Sequence, residues 1–175
     1  MNQLQPILQQ WANFYATMGQ AGAALIGLLF VVITVAAERR PNDTAKIHIY
    51  LTPIVVCFAS VLGVGELAII PDHTRLSAAL CICLVGAIGA VYSASLFIRR
   101  GGRKTNYYEL HDRIPYAFLP FAAYALLIAG GILLFSDIER ALTLVAAGML
   151  SLLTLGIRNS WAIVTDLLAN RPGGK

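Results

Sequence analysis

The sequence predicts an all-α fold, a polytopic membrane bundle of about five transmembrane helices, and three observations support this. Hydrophobic residues make up 58% of the 175-residue chain and charged residues 13%, whereas a soluble domain carries about 25% charged residues. Five apolar runs meet or approach the roughly 20 residues with which a helix crosses a bilayer. The runs lack the period-two alternation that strands of membrane barrels require. We therefore expect a helical protein whose apolar surface faces lipid.

The polar residues between the apolar runs set the limits of the predicted helices. Pro41 lies in a charged segment after the first run, Pro71 lies in a tight turn after the second, and Gly101 breaks the helix after the third. Ser136 or Asp137 is expected to cap the fifth helix, since both side chains accept hydrogen bonds from helical N–H groups. The predicted helices cover residues 14–37, 47–70, 76–98, 114–135 and 141–165.

A single transmembrane domain over residues 1–175 is expected, with two polar appendages. Residues 1–13 are rich in Gln and Asn and contain no Lys or Arg, so the basic region of a signal peptide is not expected there. Residues 99–113 are predicted to form a basic cytoplasmic loop between the third and fourth helices.

The distribution of basic residues predicts an N-terminus outside the cell and a C-terminus in the cytoplasm. Ten of the thirteen Lys and Arg residues fall in the first loop, the third loop and the C-terminal tail, whereas Arg75 and Arg140 fall on the other side. Because positively charged loops stay in the cytoplasm, this asymmetry gives an N-out, C-in topology. The same rule accounts for the net charge of +4 without a nucleic-acid partner.

Small residues at four-residue spacing predict the faces through which the helices pack, because they let the backbones of membrane helices approach closely. These residues are Gly19, Ala23 and Gly27 in the first helix, and Gly86 and Ala90 in the third. Two interpretations stay open. The faces pack within one bundle, or one of them joins subunits in a homo-oligomer or a larger complex.

Gln20 and Glu66 form a candidate intramembrane polar site. Glu66 is the one acid well inside an apolar run, and a carboxylate in hydrocarbon is costly enough to suggest a function. Its helical face also carries Ala59 and Gly63, so we expect Glu66 to point into the bundle. Gln20 falls at a similar depth, and the two side chains are expected to approach each other. They handle a proton or cation, or they make a structural hydrogen bond, or Glu66 reaches the outer interface.

Arg158, Asn159 and Trp161 form a candidate anion- or lipid-binding site at the inner edge of the membrane. Ser151 and Thr154 share a stripe of the fifth helix with Arg158, and a stripe this polar is expected to face protein or water. Alternatively, Arg158 anchors the helix by extending its charged group toward the headgroups.

Aromatic residues near the ends of the apolar runs predict the interfacial belts of a membrane protein. Trp11 and Tyr15 are expected in the outer belt and Trp161 in the inner belt, because amphipathic rings favour the headgroup region.

No pattern of catalytic or metal-binding residues is evident in the sequence. The three cysteines, Cys57, Cys81 and Cys83, lie in apolar runs without the spacing of a zinc site. The histidines form no i,i+4 pair, and no H-E-x-x-H or G-x-S-x-G motif occurs. We expect no metal, no cofactor and no enzymatic activity, and we expect the partners to be the lipid bilayer and membrane subunits.

Two segments carry a resemblance to known proteins. Residues 11–15 read W-A-N-F-Y and are followed by Gly22 and by L-I-G-L-L-F-V at residues 25–31, and residues 156–161 read G-I-R-N-S-W. These segments resemble the first and last helices of a group of small multi-pass bacterial inner-membrane proteins of uncharacterised function. The resemblance implies a location in the bacterial inner (plasma) membrane and implies no chemistry.

Two functions stay open on the sequence. The protein is an accessory or scaffold subunit of a membrane complex, bound through its small-residue faces, or it is a small homo-oligomeric channel or transporter that uses Glu66. The first is favoured because a single acid lies within an apolar run and no pore motif occurs. An intramembrane enzyme has the least support, since no nucleophile with a matching base is evident.

Overall fold

The structure, a computed structural model, describes residues 4–39, 44–71, 74–101 and 107–169. Within these ranges the chain is helical apart from short turns and contains no strand. The prediction of an all-α helical bundle is therefore confirmed. The five helices are α1 (Leu4–Arg39), α2 (Thr44–Ile69), α3 (Arg75–Gly101), α4 (Tyr107–Leu133) and α5 (Ile138–Ala169).

Both predicted polar appendages contribute helix to the bundle. α1 begins at Leu4, well before the predicted start at position 14, and its 36 residues extend about 54 Å at 1.5 Å per residue. Leu8 and Trp11 pack against the hydrophobic core, so the first turns are held by apolar contacts despite their polar composition. α3 runs on to Gly101 and α4 begins at Tyr107. The predicted loop 99–113 is thus partly helical, and residues 102–106 lie outside the described residues.

Four helices are long and apolar enough to cross a membrane. Their apolar stretches, found within the described residues, are Pro6–Val35, Leu51–Ile69, Arg75–Leu96 and Ile138–Ala162. In α4 the corresponding stretch, Phe118–Leu133, is shorter than the roughly 20 residues of a typical span. The chain is an integral membrane protein by these criteria.

The contacts between helices set their directions. Gly19 and Gly22 of α1 approach Gly65 and Phe58 of α2, so α1 and α2 are antiparallel. Corresponding contacts of α3 with α4 and of α4 with α5 make those pairs antiparallel as well. Tyr15 of α1 meets Leu142 of α5, and Gly22 and Gly156 of the same two helices both meet Phe58, so α1 and α5 are parallel. α1, α3 and α5 therefore end at one end of the bundle. We call it the basic end, because Arg39, Lys46 and Arg99 belong to the helical turns located there.

α2 and α5 lie at the centre of the bundle. α2 contacts α1, α3 and α5, and α5 contacts α1, α2 and α4. Half of the most apolar stretch of α5 is buried inside the bundle, whereas 22% of the most apolar stretch of α1 is buried. α1 is accordingly a peripheral helix with a wide surface open to lipid or to another protein.

The helices pack with a seven-residue repeat. In α1, Tyr15, Gly22 and Leu29 are buried at seven-residue spacing. The buried positions of α3 alternate between spacings of three and four residues: Ala79, Ile82, Gly86, Gly89 and Ser93. A 3.5-residue repeat keeps one seam of each helix against its neighbour in the left-handed packing of coiled coils and most membrane bundles.

Glycines allow the close approach of α1 and α2. A Cβ atom on Gly65 would lie 2.7 Å from the Cα of Gly19 and 2.8 Å from the carbonyl oxygen of Tyr15. A Cβ on Gly22 would lie 2.9 Å from the carbonyl oxygen of Phe58. All three contacts are with backbone atoms, which cannot turn aside as a side chain can. Only hydrogen fits at these two positions.

The predicted packing stripe is correct in part of its length. Gly19 lies at the α1–α2 contact, Gly86 faces Ile128 of α4, and Ala90 packs against the core. For packing within the bundle the prediction is wrong for Ala23 and Gly27, which are exposed, and no atom lies within 4 Å of a Cβ on Gly27. Steps of four residues advance about 40° around a helix with 3.6 residues per turn, so the stripe turns away from α2.

Hydrogen-bonded caps fix the starts of α3 and α5. The Arg140 N–H donates to Asp137 Oδ1 at 3.1 Å, and the Arg140 side chain forms an ion pair with the same carboxylate. The prediction that Asp137 caps the fifth helix is confirmed. At α3 the Ser77 N–H donates to Thr74 Oγ1 and the Thr74 N–H donates to Ser77 Oγ, both at 3.1 Å, which is a capping box with serine in the glutamate position.

Candidate functional site

A buried tyrosine connects the first and last helices. The Tyr15 hydroxyl donates a hydrogen bond of 2.8 Å to the carbonyl oxygen of Leu142 in α5, and the side chain is 1% exposed. Phe14 and Trp11 pack edge-on or tilted around the ring, with centroids 5.4 to 6.0 Å from it. The prediction that Tyr15 lies in the outer aromatic belt is therefore wrong, because its position on the seven-residue seam directs it into the core.

A second buried tyrosine connects α4 to α2. The hydroxyls of Tyr124 and Ser60 lie 3.1 Å apart, and Ser60 donates its own hydrogen to the carbonyl oxygen of Val56 at 2.8 Å. A hydroxyl has one hydrogen to donate, so Tyr124 is the donor to Ser60. Gly89 of α3 lies directly against the Tyr124 ring, and a Cβ there would overlap it. The thiol of Cys57 contacts the same tyrosine.

These two pairs satisfy buried polar groups in the membrane and fix which helices meet. Each hydrogen bond joins helices far apart in sequence, so it selects one arrangement of the bundle among several that apolar packing alone allows. Sequence reasoning missed both pairs. The seven-residue spacing of Tyr15 with Gly22 and Leu29 was a usable signal for the first, but nothing in the sequence pairs Tyr124 with Ser60.

Glu66 lies at the surface of the bundle, beside α1. Its side chain is exposed, and Oε1 would be 3.4 Å from a Cβ on Gly19. The expectation that Glu66 points into the bundle is wrong. Its helical face with Ala59 is turned outward, because the seam of α2 follows Leu51, Phe58 and Gly65 instead.

Gln20 of α1 lies at the same level of the bundle as the Glu66 carboxylate of α2, and it is also exposed. It lies within the apolar stretch Pro6–Val35, whose 30 residues exceed the roughly 20 of a span, so the middle of this stretch does not mark the middle of the membrane. Among the described residues the structure records no hydrogen bond between Gln20 and Glu66. The two side chains share a level of the bundle without pairing.

Gln20 belongs to an exposed stripe on the side of α1 that faces away from α2. We call this stripe the outer face of α1, and it consists of Asn13, Thr17, Gln20, Ala24 and Gly27. The Thr17 hydroxyl donates to the Asn13 carbonyl oxygen at 2.7 Å within the same helix. The Gln20 carboxamide has no comparable bond in the part of the chain that the structure describes.

The described interior of the bundle is densely packed and apolar. A cavity near Tyr15 and Leu142 has a volume of about 20 Å³ and is lined mainly by aliphatic side chains, which is room for about one water molecule. Leu127, Met149 and Leu152 are fully buried. Within the described residues the helices surround a core of side chains rather than a continuous aqueous passage.

The predicted cluster at the end of α5 is spread around the helix. Arg158 and Trp161 are exposed, and Asn159 is half-buried. The expectation that this polar stripe faces protein or water stays a prediction. Ser151 and Thr154 donate to the carbonyl oxygens four residues earlier, both at 2.8 Å, and hydroxyls bonded to their own helix can face lipid.

A crevice opens beside Trp161, between α1, α2 and α5 at the basic end. Its volume is about 220 Å³. Its polar lining comes from Ser160, whose hydroxyl donates to the Gly156 carbonyl oxygen at 2.8 Å. The lining residues are Leu25, Leu28, Leu29, Val32, Leu51, Phe58, Ile157, Ser160, Trp161 and Val164.

No group of three or more metal-binding side chains occurs among the residues that the structure describes. No protein-family model, no curated protein and no solved structure matches the chain significantly.

Proposed function

We propose that the protein is an accessory or scaffold subunit of a membrane complex, and that a transmembrane helix of another subunit packs on the outer face of α1. The observation that carries this proposal is the position of Gln20. Its carboxamide is exposed within a long apolar stretch of α1, where the neighbouring phase is hydrocarbon or another protein. An amide without a hydrogen bond in hydrocarbon costs several kcal/mol, so a partner that supplies one is strongly favoured.

The shape of the outer face suits a helical partner. Its residues recur at spacings of three and four, like the buried seam of α1 on the opposite side. Ala24 and Gly27 leave the backbone open to close approach, as membrane helix pairs require. α1 is also the least enclosed of the four long apolar helices, so a second helix adds contact where the bundle itself supplies little.

The packed interior supports a structural function over transport through a single chain. Transport requires a polar path, and the described core consists of apolar side chains around two hydrogen-bonded tyrosines. The tyrosine pairs make the bundle a rigid platform that holds α1 in a fixed orientation. A fixed outer face is what a scaffold presents to its partner.

Photo-crosslinking in cells tests this proposal. A photoreactive amino acid at Ala24 should give one product of defined mass, and the same amino acid at Leu84, an exposed residue of α3, should give none. Gln20→Leu should lower the Ala24 yield about threefold, the factor for a typical hydrogen bond between membrane helices of about 0.6 kcal/mol. Equal yields from the two positions, or no product from Ala24, would refute the proposal.

The exposure of Glu66 favours a second candidate, a homo-oligomeric channel or transporter. An exposed carboxylate at the surface of one chain would line a shared path if several copies formed a ring. Ion or proton flux in proteoliposomes should then be lost in Glu66→Gln and retained in Glu139→Gln, a matched change of an exposed acid in the first turn of α5. Equal flux in the two variants would exclude Glu66 from any such path.

A further inference from the structure

We propose that the crevice between α1, α2 and α5 binds one acyl chain of an anionic phospholipid, whose headgroup lies beside Arg158 and Trp161. The lining is almost entirely aliphatic and aromatic, so water in it would lack the two to four polar partners that an ordered water needs. The crevice opens to the side of the bundle, where lipid chains are the surrounding phase.

The size of the crevice favours a lipid chain over a helix. A volume of about 220 Å³ is small for a transmembrane helix, which is about 10 Å across with its side chains. An acyl chain is one methylene wide and fits a narrow apolar slot. Leu28 of α1 and Val164 of α5 both line this slot.

The charge of the basic end favours an anionic headgroup. Arg158 is exposed and precedes Trp161 by three residues on α5, so the two side chains are neighbours on the helix surface. Trp161 is 69% exposed and contributes to the wall of the crevice. Arg39, Lys46 and Arg99 belong to helical turns at the same end. A phosphate at the mouth of the crevice would be attracted by the Arg158 guanidinium.

The fluorescence of Trp161 can report lipid in the crevice. The chain has two tryptophans, so Trp11→Phe leaves Trp161 as the single reporter. The protein would be placed in phosphatidylcholine nanodiscs that contain rising fractions of phosphatidylglycerol or phosphatidylcholine brominated in the acyl chain. We expect brominated phosphatidylglycerol to reach half-maximal quenching at about a fivefold lower lipid fraction than brominated phosphatidylcholine. This is the factor for one basic side chain at an anionic membrane surface.

Variants separate the crevice from general attraction to the surface. Arg158→Gln should abolish the fivefold preference. Val164→Phe and Leu28→Phe, which fill the slot from two different helices, should abolish it as well, while Leu150→Phe on an exposed part of α5 outside the crevice should preserve it. Equal quenching by the two brominated lipids would overturn the proposal. A preference that survives both filling variants would also overturn it, because the lipid would then lie outside the crevice.

Discussion

Gly65→Ala is the substitution for which the structure predicts the sharpest effect. The added methyl carbon would lie 2.7 Å from the Gly19 Cα and 2.8 Å from the Tyr15 carbonyl oxygen. Ordinary contacts start near 3.4 Å, so α1 and α2 must separate by about 0.7 Å. Overpacking of this kind costs about 1–3 kcal/mol, and disturbing the Tyr15 hydrogen bond costs about 1 kcal/mol more. The better helix propensity of alanine returns about 1 kcal/mol.

We therefore expect Gly65→Ala to lower the free energy of unfolding by about 1–3 kcal/mol, within these ranges. The measurement is reversible unfolding in mixed micelles, followed by circular dichroism. Gly63→Ala is the matched control, because it lies two residues away on the same helix and no atom lies within 4 Å of its added Cβ. It should be neutral or stabilising by up to about 1 kcal/mol. Equal effects of the two substitutions would refute the close contact of α1 and α2.

Three further predictions follow from the hydrogen bonds, each measured by the same unfolding assay. Tyr15→Phe should destabilise the bundle by about 1 kcal/mol through loss of the bond to Leu142, and Thr17→Val, which removes an exposed bond within α1, should cost less; the reverse order would contradict the buried bond. Gly89→Ala and Tyr124→Phe should be non-additive in a double-mutant cycle, because the alanine methyl displaces the ring that Tyr124→Phe alters; strict additivity would contradict that contact. Asp137→Ala should cost about 1 kcal/mol through loss of the α5 cap, whereas Ser136→Ala should be nearly neutral, and equal losses would argue against capping by Asp137.

The sequence predicts the class of fold and the number of helices because these depend on composition and on run length. Apolar runs separated by Pro71, Gly101 and Asp137 mark the turns whatever the packing. The boundaries at Leu4 and Tyr107 are not predictable in the same way. The first turns of α1 are stabilised by contacts of Leu8 and Trp11 with other helices, and such contacts contribute nothing to a local hydropathy pattern.

The packing faces are harder to predict because two repeats compete in α1. Gly19, Ala23 and Gly27 suggest a four-residue stripe, while Tyr15, Gly22 and Leu29 suggest a seven-residue seam. Both kinds of packing occur in membrane bundles, and either repeat places Gly19 at the contact between α1 and α2. The structure selects the seam, because large side chains at its positions interlock with α2 and α5 while glycine permits the closest approach.

The polar side chains of the spans fall into three groups according to where their hydrogen bonds go. Tyr15, Ser60 and Tyr124 bond across helices in the core, and surface hydroxyls such as Thr17 and Ser151 bond to the carbonyls of their own helix. Gln20 and Glu66 do neither among the described residues, although they lie at one level on the surface. A long side chain near a helix end can reach the headgroups, which accounts for Glu66, four residues before the end of its apolar run. Gln20 lies at the same level within an apolar stretch that continues on both sides of it, and its amide, unpaired among the described residues, is the reason to seek a protein partner there.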